Sequence, residues 1–87
     1  MRYSFEFLEA AAKEVSKLDK AIRERAKQKI DQLCEDPFRY PIGKPLRGAG
    51  GLYSSRFADD WRILYLPDES NKKIIITGVK HRSEAYE

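Results

Sequence analysis

The chain has 87 residues, enough for one domain, and 17 Lys and Arg against 14 Asp and Glu give it a net charge of +3. A mean hydropathy of −0.67 excludes a membrane span, and 41% apolar residues exclude the disordered class. One cysteine, Cys34, allows no internal disulfide, and with a single histidine, His81, it argues against a structural zinc.

Glu6 and Glu9 interrupt any apolar block of signal-peptide length, which points to a cytoplasmic protein with no membrane partner. The opening run Arg2-Tyr3-Ser4-Phe5-Glu6-Phe7 sets an aromatic at every second position, the period of a half-buried strand. From Leu8 the period changes: Leu8, Ala11, Ala12, Val15 and Leu18 make one helical stripe. Asp19 then reads as the N-cap of a second helix carrying Ile22, Ala26, Ile30, Leu33 and Cys34 on one face. The short join predicts an antiparallel helix hairpin, and Pro37 ends the second helix by disfavouring helical geometry at Asp36.

Residues 37–51 hold Pro37, Pro41 and Pro45 with Gly43, Gly48, Gly50 and Gly51. An irregular segment of about 15 residues more often signals function than neglect. Strands are predicted at Leu52–Phe57, Trp61–Leu66 and Lys73–Val79, joined by hairpin-length connections at 58–60 and 67–71. The expected fold is a single α+β domain over 1–87, β-α-α-β-β-β. The helix pair lies on one face of a mostly antiparallel four-stranded sheet.

Residues 1–36 balance eight bases against eight acids, so the whole excess lies in 37–87, where nine bases face six acids. Arg39, Lys44, Arg47 and Arg56 all precede the first acid of that half, Asp59. Strand alternation puts Tyr53, Ser55 and Phe57 on one side and Ser54 and Arg56 on the other. Arg62, between Trp61 and Ile63, points away from both. Two arginines on one open face of adjacent strands suit an anion; the alternative is that each pairs with a carboxylate such as Asp59 or Asp60. Lys80-His81-Arg82-Ser83-Glu84-Ala85-Tyr86 then gathers two cations, the only imidazole and a phenol, a set that suits phosphate handling.

Four segments in order, Lys44-Pro45-Leu46-Arg47-Gly48, Gly51-Leu52-Tyr53-Ser54-Ser55-Arg56-Phe57, Trp61-Arg62-Ile63-Leu64-Tyr65 and His81-Arg82-Ser83-Glu84-Ala85-Tyr86, resemble the RelE/ParE superfamily of toxin–antitoxin toxins. The resemblance covers nearly the whole chain. RelE-like members enter the ribosomal A site and cut the mRNA codon there, whereas ParE-like members poison DNA gyrase and lack the closing tyrosine segment. The intact Arg82–Tyr86 stretch favours the RelE-like branch, and the loop and first two strands also resemble its YoeB subgroup. The resemblance implies a ribosome-dependent mRNA endoribonuclease without metal or cofactor, in which the substrate's own 2′-hydroxyl attacks.

In such a reaction Arg56 and Arg62 stabilise the charge that builds on phosphorus. His81, with an imidazole's reference pKa of about 6.5, is the first choice for proton transfer. Tyr86 takes a catalytic part by resemblance, and Lys44, Arg47, Ser54, Lys80 and Arg82 are assigned to RNA. Two departures stand out: Ser54 occupies the position where RelE proteins carry a lysine base, and Lys44-Pro45-Leu46 lacks the glutamate of the YoeB loop. The implied partners are a cognate antitoxin, forming a small oligomeric complex, and the ribosome with its mRNA. The alternatives are a gyrase-poisoning toxin without nuclease activity and a non-toxic basic binding module.

Overall fold

The computed structural model describes residues 2–40, 42–46, 48 and 50–85, the last two by their backbone alone. Strand β1 (Ser4–Phe7) leads into helix α1 (Glu9–Ser16), and three residues later into helix α2 (Lys20–Glu35). Asp19 caps α2, its side chain accepting the Ile22 N–H at 2.9 Å. A two-residue strand β2 (Lys44–Pro45) precedes β3 (Tyr53–Phe57), β4 (Trp61–Asp68) and β5 (Lys73–His81), and a short turn of helix, α3, spans Arg82–Ala85.

The five strands form one sheet in the order β1-β5-β4-β3-β2, with β1 parallel to β5 and the other pairs antiparallel. The sheet thus has one strand more than the sequence predicted. Lys44 and Pro45 pair with Ser54 and Tyr53 at the sheet edge, where a proline's missing N–H faces away from the ladder.

One face of the sheet is the core. Phe57, Ile63, Tyr65, Ile74, Ile76 and Val79 are buried there with Ala11 and Leu18 of the α1 region and Ala26, Ile30, Leu33 and Cys34 of α2. A bulge decides what the other face carries. Leu64 opposes Gly78 but Tyr65 opposes Ile76, so Thr77 is the extra residue, its hydroxyl donating to the Leu64 carbonyl at 3.2 Å. The inserted residue reverses the alternation along β5. Without it, Lys80 would share the core face with Ile74 and Ile76; with it, Lys80 opposes Arg62 on the face away from the helices.

Among the described residues no helix is long and apolar enough to cross a membrane. The loop before β3 is held by Tyr65, whose hydroxyl donates to the Pro37 carbonyl at 2.6 Å in the interior. Gly43 sits against that contact, where an added Cβ would overlap the Tyr65 hydroxyl and lie 2.6 Å from the Pro37 carbonyl oxygen.

Candidate nucleic-acid interface

Residues directly opposed across antiparallel strands share a face and stand close together. Arg56 opposes Arg62, and Arg62 opposes Lys80, so three cations lie abreast across β3, β4 and β5. Two register positions along, Lys44 opposes Ser54, which is two residues before Arg56 and on the same face. Like charges directly opposed destabilise a sheet, and here they occur twice in one row. Sheets tolerate such a conflict chiefly where a site requires it.

The members differ in surroundings. Arg56 is exposed, and Ser54 beside it is 6% exposed. Arg56 also forms the rim of an open groove of about 360 Å³ with Arg25, Lys29, Gln28 and Gln32 of α2, at the edge of β3 that β2 leaves uncovered. Asp59 also lines the groove, so positive charge continues from the row round the sheet edge onto α2 with one carboxylate set against its three cations. Arg62 is half-buried. Lys80 is ion-paired to Glu14 of α1, whose other carboxylate oxygen accepts the Val79 N–H at 2.9 Å. β1 ends at Phe7, so beyond Ile76 the edge of β5 lies open to α1, and Glu14 occupies it. Nothing local in the sequence marks Glu14, because its partners lie 65 and 66 positions away.

His81 stands elsewhere. It opposes Trp61, one position beyond the Arg62–Lys80 pair, so its ring turns to the helix-side face, 5.2 Å from the Trp61 ring and nearly perpendicular to it. Its Nδ1 accepts the Ser83 N–H at 3.3 Å and lies 3.0 Å from the Ser83 hydroxyl, which puts the neutral ring's proton on Nε2. The set 80–86 that suited phosphate handling is therefore divided: strand alternation turns His81 to the helix-side face, away from Arg62 and Lys80. Arg82 is exposed, 3.8 Å from Asp60, and donates its N–H to the Asp60 carbonyl at 2.6 Å. The pairing foreseen for Asp60 therefore goes to Arg82 rather than to Arg56. Arg47 and Tyr86 lie outside the described residues. Among the described residues, no three His, Cys, Asp or Glu side chains gather as a metal site.

Comparison with known proteins bears on the family and the fold. Residues 5–86 match the family model described as the ParE toxin of a type II toxin–antitoxin system, parDE. The mRNA interferase toxin RelE of Escherichia coli K12 is 35% identical over 89 aligned positions, covering 99% of this chain and 92% of that protein. Among solved structures, the toxin–antitoxin complex RelBE2 of Mycobacterium tuberculosis matches with a TM-score of 0.80 at 30% identity, covering 94% of this chain and all of the other. The intact RelBE toxin–antitoxin complex of Escherichia coli matches with a TM-score of 0.79 at 29% identity, over 91% of this chain and 95% of the other.

Proposed function

This chain belongs to the RelE-like branch of the RelE/ParE superfamily and is a toxin of a type II toxin–antitoxin system, and on that premise we propose that it cuts mRNA codons in the ribosomal A site. The observation that carries the proposal is the row Arg56–Arg62–Lys80, three cations in register across β3, β4 and β5, with Lys80 held by Glu14.

The substrate's 2′-hydroxyl attacks the adjacent phosphorus, and the bond to the 5′-oxygen breaks. The 2′-hydroxyl proton must leave, and the 5′-oxygen must gain one. Arg56 and Arg62 hold the non-bridging oxygens and stabilise their growing charge, because guanidinium binds phosphate in a fork and keeps its proton. Lys80, steadied beside Arg62 by Glu14, adds a third positive charge. Lys44 guides the RNA from the loop, with Ser54 between it and the arginines and Arg82 at the far end; Arg47 is assigned to RNA by the resemblance alone. His81 is kept for proton transfer by its imidazole, and Tyr86 in its catalytic part by the resemblance alone; because His81 faces the helix side, the RNA must turn round the end of β5 to meet it. Attack by the substrate's own 2′-hydroxyl asks for no metal ion from the toxin itself. A cognate antitoxin neutralises the positive face in a small cytoplasmic complex.

The test is in-vitro translation of a defined message with mapping of its cut ends. Cuts at codon positions are expected, lost in Arg62→Ala and slowed in His81→Ala. Intact message with the unaltered toxin would end the nuclease assignment. The matching family model is that of a ParE toxin, which favours gyrase poisoning as the second reading; DNA breakage with uncut message would select it.

A further inference from the structure

Among the described residues, Tyr40 is the most exposed of the large hydrophobic side chains, at 72%. It stands on a turn braced on both sides. Asp36 accepts the Phe38 N–H through its side chain at 3.1 Å and the Arg39 N–H through its carbonyl at 3.3 Å, and Gly43 donates to the Arg39 carbonyl at 2.8 Å. Phe38, two residues before, packs edge-on against Tyr53 at 5.5 Å, and Tyr53 in turn lies 5.7 Å from Tyr65 of the core. The turn is thereby fixed to the core while Tyr40 projects from it. Lys44 Nζ lies 5.6 Å from the centre of the Tyr40 ring. Lys44 is also the residue that opposes Ser54, so it links the ring to the arginine face. From Ser54 to Arg56 is about 7 Å along the strand.

An exposed aromatic ring on a braced support, with a cation over it and the arginine row close by, is an arrangement that can hold an unpaired nucleobase by stacking on the ring. We propose that Tyr40 is a stacking platform for an unpaired base of the RNA, next to the nucleotides whose phosphate lies on Arg56 and Arg62, with Lys44 on the intervening phosphate. The proposal rests on the nuclease reading above and adds a base-contacting residue outside the segments that carry the family resemblance. A tyrosine ring loses little conformational freedom on binding, because it has only two rotatable side-chain bonds. Stacking tolerates any base, so Tyr40 contributes affinity and register with weak sequence preference.

The test is cutting of a defined message on programmed ribosomes, with the toxin concentration for half-maximal rate and the maximal rate measured separately. Tyr40→Phe keeps the ring and is expected to match the unaltered toxin. Tyr40→Leu keeps bulk without a π-face, and Tyr40→Ala removes both. These two are expected to need about 5- to 150-fold more toxin, the range equivalent to loss of one stacked base, with the maximal rate retained. Thermal melting should be the same for all three, because the side chain is exposed. If Tyr40→Leu behaves like Tyr40→Phe, the ring is not used and the stacking proposal falls while the nuclease assignment stands. If the unaltered toxin does not cut, the nuclease assignment falls and takes the stacking with it.

Discussion

At Arg56 a side chain is kept in a position that the sheet itself resists. Its Cα partner is another arginine, and opposed like charges cost roughly 0.2–1 kcal/mol per pair. Arg56→Gln is therefore expected to raise stability by about that amount in urea unfolding while cutting is lost. A variant that is both inactive and less stable would show that Arg56 is held for packing instead. Tyr65 illustrates the opposite case, a polar atom kept for the fold. Its hydroxyl supplies the buried donor to the Pro37 carbonyl, and Tyr65→Phe should cost about 1–3 kcal/mol at neutral pH. Burial pushes the phenol above its ordinary value, helped by Tyr53 and Asp36 nearby. A raised folded-state value means that this contribution is whole below the unfolded phenol's pKa of about 10 and declines as pH rises through the folded value. Unfolding curves taken above pH ~10 should show a steeper loss in the unaltered protein than in Tyr65→Phe.

Among the elements, the loop that leads into β2 depends on one small residue. Gly43 is required for space, since its Cβ would meet both the Tyr65 hydroxyl and the Pro37 carbonyl. Gly43→Ala must part that hydrogen bond or move the loop. The expected loss is about 1–3 kcal/mol in denaturant midpoint, and it should shrink in a Tyr65→Phe background because the two changes break the same contact. The long elements were legible from periodicity, down to Asp19 as the cap of α2 and Cys34 on its buried face. Arg56 and Arg62 were legible by alternation as a pair on the face away from the helices. Three things were not. A two-residue strand containing proline has no period to detect, which hid β2. The Thr77 bulge changes side-chain direction within an apolar run, so the facing of Lys80 and His81 could not be counted from the chain. Glu14 meets β5 only through tertiary folding.

For the whole molecule, the important quantity is how far the positive field extends. α2 carries Lys20 and Arg23 in its first turns with no acid in the first turn and no base in the last, the reverse of what the helix dipole favours. Arg25 and Lys29 join this cationic stretch to Arg56 through the groove at the β3 edge. If RNA phosphates follow that path, binding must weaken with salt as counterions return. Each phosphate contact on a single strand gives a slope of about −0.7 in log K against log salt, so the double variant Arg25→Ala/Lys29→Ala should make the slope shallower by about 1.4. An unchanged slope would confine the RNA to the sheet face. One further consequence follows from the parallel pairing of Ser4–Phe7 with Lys73–Ile76. Synthesis releases the first strand long before its partner exists, and the closing of so long a span comes late. Lys80 arrives on that same final strand. Fragments ending before β5 would therefore lack both the partner strand of β1 and one cation of the row.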